Sequence, residues 1–178
     1  MANLKEIRIR IGSVSSTMQI TSAMKMVSAA KLKKAQDAIM AMRPYSNKLS
    51  ELMQSFSGAS AGGNKSYTEN RTLNKVLVVV ISSNRGLCGA FNANIAKEAL
   101  VFKSKEKFRD SQIDFLTIGK KINDTLSKTE TIIQNDSDVF EELNYENVGK
   151  IADELMDRFV SNDYDHIEII YNSFKNAA

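Results

Sequence analysis

Residues 75–89 read KVLVVVISSNRGLCG, and the fold is decided there. Val76 to Ile81 is an unbroken aliphatic run, which predicts a strand buried on both faces, as in the interior of a parallel sheet. The turn after it carries Arg85, Gly86 and Gly89 and leads into helical spacing at Ile95, Ala99 and Phe102, predicting a helix over 90–109. The same punctuation continues downstream. A second strand is predicted over 113–119, a short helix over 120–128 and a third strand over 131–134. A helix over 145–161 places apolar residues at Val148, Ile151, Leu155 and Phe159, and a last strand covers 166–174. Strands and helices in strict alternation predict an α/β fold, a parallel sheet with helices on both faces.

Upstream of that strand, residues 58–74 are rich in Ser, Gly, Asn and Thr and predict a flexible linker. The segment before it, 1–57, has a different character. Leu4, Ile7, Ile11, Val14 and Met18 recur in alternating steps of four and three, and Leu32, Ala35, Ile39, Met42, Tyr45, Leu49, Leu52 and Phe56 resume a similar pattern. Such near-heptad spacing predicts one long coiled-coil-type helix. Between the two stretches, Ile20, Ala23, Met24, Met26, Val27, Ala29 and Ala30 spread apolar surface around the circumference, so the middle needs cover on several sides. Pro44, the single proline, predicts a kink or a short break. At about 1.5 Å per residue the rod would be roughly 80 Å long. Its heptads need a helix of comparable length, and the sequence contains no other, so the partner is expected from elsewhere.

The net charge of +3 hides an asymmetry. Up to Ser57, Lys5, Arg8, Arg10, Lys25, Lys31, Lys33, Lys34, Arg43 and Lys48 face only Glu6, Asp37 and Glu51, giving +6 and leaving −3 for the remainder. Seven of the eight methionines lie on the same rod, and unbranched thioethers suit a surface that must fit changing surroundings. A basic rod without aromatic interleaving or a compact Lys/Arg stripe argues against nucleic acid and for an acidic protein partner. No apolar run approaches the ~20 residues of a membrane span, so no direct membrane insertion is expected. The N-terminus has no secretory h-region, which predicts cytoplasmic residence.

Other constellations point away from chemistry. The turn Ser82–Gly89 stands where nucleotide-binding folds hold phosphate, but it has neither G-x-G-x-x-G nor G-x-x-x-x-G-K-[ST], so a tight structural turn and no cofactor are expected. A nucleotide-binding regulatory module tethered by the long helix is the alternative function. Cys88 and His166 are the only residues of their types. They fall after one end of the first strand and at the opposite end of the last, roughly 20 Å apart at about 3.3 Å per residue. This argues against a catalytic pair and predicts a buried, inert thiol. Asp136, Asp138, Glu141 and Glu142 lack the spacing of a calcium loop and predict a solvated acidic loop with no metal. Arg85 could hold a partner carboxylate.

Three segments together carry a resemblance: IRIRIGSVSSTMQITSAMKMVSAAKLKKAQ on the rod, RPY at Arg43–Tyr45, and SSNRGLCGAFN after the first strand. They are similar to the gamma subunit of rotary F-type ATP synthases, as is the ending IIYNSFKNAA. The resemblance implies that residues 1–57 are one helix of a central shaft and residues 75–178 a Rossmann-like domain. It implies coupling of proton-driven rotation to ATP synthesis at sites on other subunits, with no catalytic residue in this chain. The implied partners are the alpha and beta subunits of the catalytic ring, the epsilon subunit and the membrane rotor ring, at the cytoplasmic face of a bacterial inner membrane. The segment Ile20–Leu32 resembles the part of the shaft that faces acidic lever loops of the beta subunits, which makes Met24, Lys25, Lys31, Lys33, Lys34 and, less directly, Arg85 the candidate contacts. The family often has basic residues where this chain has Gln19 and Ser22, so the electrostatic share is expected to be smaller here. Beyond Ala178 the family continues into further strands and a C-terminal helix, so this sequence is expected to be the N-terminal part of a longer product. The basic, methionine-rich surface is expected to face outward to the ring and the heptad seam inward to the absent helix, as separate features.

Overall fold

The computed structural model describes residues 3–59, 67 and 71–175. The chain divides into two compact units, Met1–Gly63 and Asn64–Ala178.

The first unit is one helix, α1 (Leu4–Ala59). Asn3 caps it, its side-chain oxygen accepting from the Lys5 amide at 3.1 Å, and Glu6 places negative charge in the first turn. The helix runs through Pro44 without the break that the sequence suggested. Proline there removes only the one amide that would bond the carbonyl of Met40, and the good helix formers around it (Ala41, Met42, Lys48, Leu49) hold the turn. α1 also extends through residues 58 and 59, which the composition had placed in the linker. The rest of that segment lies largely outside the described residues.

The second unit is built around β1 (Lys75–Ile81), one of the two inner strands of a four-stranded sheet with β2 (Gln112–Ile118), β3 (Ile132–Asn135) and β4 (His166–Ile170), all parallel in the order β3-β2-β1-β4. Val76, Val78 and Val80 face one side, packing with Ile95, Ala99 and Phe102 of α2 (Phe91–Lys103) and Ile122 and Leu126 of α3 (Lys120–Leu126). Leu77 and Val79 face the other side, with Leu116, Tyr164 and the half-buried Ile151 and Leu155 of α4 (Tyr145–Val160). Both faces of β1 are therefore dry, which is why its sequence shows no alternation. Burial of each valine is worth about 1.5–3 kcal/mol.

Two predicted boundaries moved by four residues or more. The helix expected over 90–109 ends at Lys103, because Lys105 takes extended backbone (φ −66°, ψ 137°) and turns the chain back. The short 3₁₀ turn Glu106–Phe108 then stacks Phe108 on Phe102 at 4.5 Å and beside His166 at 5.7 Å, so a core contact outweighs two more turns of helix. β4 stops at Ile170, four residues short of the expected end, and Asn172 instead donates to the Phe91 carbonyl at 3.0 Å.

Polar groups fasten α4 and its following turn to the sheet. The Tyr164 hydroxyl donates to buried Asp114 at 3.1 Å, and Glu154 accepts from Arg158 at 2.8 Å and from Gln134 at 3.0 Å. The Gln134 and Arg158 hydrogen bonds hold the Glu154 carboxyl below the usual range. Burial, with the Asp114 charge beside it, pushes the Tyr164 hydroxyl from about 10 up to about 12. The folded value exceeds the unfolded one, so the contribution of neutral Tyr164 is fully present below pH 10 and is lost as pH rises through about 12. Urea midpoints should therefore fall between pH 10 and 12 in the native sequence. Tyr164→Phe should flatten that limb and cost about 1–3 kcal/mol at neutral pH, because Asp114 loses a donor.

Candidate partner interface

From Asn3 to Ser55, every side chain of α1 is exposed except Gln36 and Ile39, which are half-buried. Ile11, Val14 and Met18 are 64%, 63% and 65% exposed, values that no helix retains once its apolar stripe is packed. Thr17 and Thr21 turn their hydroxyls inward to the carbonyls four residues back, at 3.0 and 2.8 Å, which leaves their methyl groups outward. With Val14 and Met18 they line a shallow apolar groove of the kind that accepts knobs from a facing helix.

The five sequence candidates on α1 do not form one face. Met24 and Lys31, seven residues apart, share a side of α1, with Lys34 about 60° further round. Lys33 lies toward the other side. Lys25 corrects the expected separation of basic surface from heptad seam. It stands in line with Leu4, Ile11 and Met18 at seven-residue spacing and lines the same groove as Val14 and Met18. One of the cations thus shares the groove with apolar residues of the predicted seam.

Arg85 belongs to the second unit, on the exposed loop after β1. The loop's base is rigid. Asn92 on α2 accepts from the Ser83 amide at 3.2 Å and its hydroxyl at 3.0 Å, and donates to the Arg85 carbonyl at 3.3 Å. Asn84 accepts from the Lys120 amide at 2.9 Å and donates to the Ser137 carbonyl at 3.0 Å, tying the loop to the next crossover. Gly119 allows that approach: its φ is +124°, and an added Cβ would fall 2.6 Å from the Ser82 carbonyl oxygen. Cys88 is exposed, against the expectation of a buried thiol, because the chain from Arg85 to Ala90 projects beyond the sheet before α2 begins. Val76 pairs with His166 at the amino end of the sheet, so that histidine and Cys88 do lie beyond opposite ends.

Nothing in the sequence pattern singles out Leu87. It is fully exposed at the loop's tip and takes a left-handed conformation, φ 60°, that costs a leucine about 1–2 kcal/mol. An apolar side chain held in water on strained backbone beside Arg85 is the mark of a contact made with something else.

The family whose sequence model is described as ATP synthase matches residues 3–178. The chain is 62% identical over 181 residues to the ATP synthase gamma chain of Flavobacterium psychrophilum. It is 59% identical over 179 residues to that of Flavobacterium johnsoniae and 54% over 180 residues to that of Christiangramia forsetii. It belongs to the ATP synthase gamma-chain family. Each of these alignments takes in all of this chain and 62% of the relative, so the chain spans under two thirds of the length of the gamma chains it matches. The segments that carried the resemblance occupy the exposed helix and the loop after β1. No helix among the described residues is long and apolar enough to cross a membrane.

Replacing Leu87 by glycine relieves the left-handed strain. Urea unfolding of Leu87→Gly should show stability equal to or about 1 kcal/mol above that of the unaltered chain, the opposite of the loss that follows removal of a buried leucine.

Proposed function

We propose that the chain forms part of the central rotor shaft of an ATP synthase, transmitting proton-driven rotation to nucleotide sites on the alpha and beta subunits. The observation that carries this reading is the 56-residue helix α1, apolar around much of its girth and bare along its described length, in a member of the gamma-chain family. A structural element with that much unburied surface is built for enclosure by other chains. In this reading the groove of Val14, Met18 and Lys25 receives a second shaft helix. Met24, Lys31, Lys33 and Lys34 meet the acidic loops of the ring, and Arg85 with Leu87 makes a separate contact from the second unit, across the connection between α1 and β1. The epsilon subunit and the membrane rotor ring are the remaining partners, at the cytoplasmic face of a bacterial inner membrane. The chain itself supplies no catalytic group; its contribution is mechanical, through differential contact with alpha and beta subunits as it turns.

Charge reversal tests the electrostatic part. Purified alpha and beta subunits should be retained by the immobilised chain at low salt. Lys31→Glu combined with Lys34→Glu should weaken retention at least tenfold, with a shallower dependence on salt. Failure of the unaltered chain to retain either subunit, or retention indifferent to both charge and salt, would sink the proposal.

A further inference from the structure

At the carboxyl end of the sheet an open crevice of about 860 Å³ lies within the second unit. Its position follows from topology. Successive crossovers run outward from β1 to β2 and β3, whereas β4 lies on the other side of β1, so the order reverses between β1 and β4. In open parallel sheets, ligands bind outside the carboxyl ends of the strands at such a reversal. The walls are fixed by the Asn84 and Asn92 hydrogen bonds already described, so the cavity is formed in advance.

The chemistry of the lining is specific. Arg85 and Lys120 bring two cations to it, and Phe91, Phe140 and Tyr171 bring three rings. Those rings are 40%, 38% and 62% exposed, apolar surface left in water around a cationic cleft. Lys120 has one weak partner, Asp138 at 3.8 Å, with both side chains largely exposed. The loop supplies donors as well. Among the described residues, the backbone amide of Arg85, which stands on the lining, donates to no other group. Glu141 is the one carboxylate on the lining.

We infer that this crevice binds a nucleoside polyphosphate. Lys120 and the side chain and amide of Arg85 hold the phosphates in place of the glycine-rich cradle that the sequence lacks. The base stacks among Phe140, Phe91 and Tyr171, and Glu141 accepts hydrogen bonds from the sugar hydroxyls. Rings without cations would suit an apolar ligand, and cations without rings a bare phosphate. A heterocycle carrying a multiple negative charge satisfies both. The site shares Arg85 with the loop contact proposed above and none of the contacts proposed for α1, so its presence or absence leaves the shaft reading of α1 standing.

The probes are ADP, adenosine and inorganic pyrophosphate, titrated into the 178-residue chain by calorimetry at about 0.1 M salt, where the Debye length is about 10 Å. ADP should saturate one site per chain, with adenosine and pyrophosphate each at least tenfold weaker. Lys120→Gln, a change at an exposed position, should weaken ADP at least tenfold while leaving adenosine unchanged; Phe140→Ala should weaken ADP and adenosine alike. Circular dichroism should be the same for all three proteins. Absence of saturation by ADP in the millimolar range, pyrophosphate binding as tightly as ADP, or indifference of ADP binding to Lys120→Gln would each overturn the inference.

Discussion

Apolar side chains held in water along most of α1 set the terms on which this molecule exists. A buried leucine, isoleucine or methionine contributes about 1.5–3 kcal/mol relative to an exposed one. Leu4, Ile7, Ile11, Val14, Met18, Ile20, Met24 and Met26 forgo that gain, and the spread of apolar residues around the helix means that one neighbour could not restore it. Helix propensity alone is a weak support, since isolated helices are marginal in water and most helical stability comes from packing. The proposed shaft role would supply that packing from other chains, and the back-bonded threonines and the groove that Lys25 shares with Val14 and Met18 are compatible with a facing helix.

The second unit solves the opposite problem. β1 is saturated on both faces and by a strand on each side, and its regularity lets the loop beyond it be irregular. Gly119 brings the end of β2 against Ser82, whose hydroxyl accepts from the Ile122 amide at 3.1 Å, and Asn84 and Asn92 then brace the loop from either side. A braced base is what allows Leu87 to stay strained and exposed at the tip rather than collapsing inward. Arg85 and Leu87 are thus presented on a hydrogen-bonded base, and Lys120 reaches the region of Arg85 from the adjoining crossover.

Much of this was legible in the sequence, for identifiable reasons. Steps of three and four over some fifty residues admit only a helix, and a run such as VLVVVI between turn residues is a central strand wherever strands and helices alternate. The element order followed directly. What escaped depended on balances between distant groups. Helix continuity through Pro44 turns on one missing hydrogen bond against many kept, and the early end of α2 on a stack of Phe108 with Phe102 that spacing cannot foresee. The exposure of Cys88 depends on where a loop points. Leu87 looks like any core leucine until its backbone angle is known, and Lys120 is remote in sequence from the loop it adjoins. The candidate cations on α1 were visible as residue types, but the position of Lys25 emerged only once it was seen to share a groove with Val14 and Met18.

The central claim is that α1, taken as a unit by itself, leaves its apolar side chains uncovered. Amide hydrogen exchange of the monomeric chain, its state verified by sedimentation, tests it most directly, because protection reports the free energy of local opening. The account predicts rapid exchange along Leu4–Met40 beside strong protection in Val76–Val80. Protection of Leu4–Met40 equal to that of β1 in a verified monomer would contradict it.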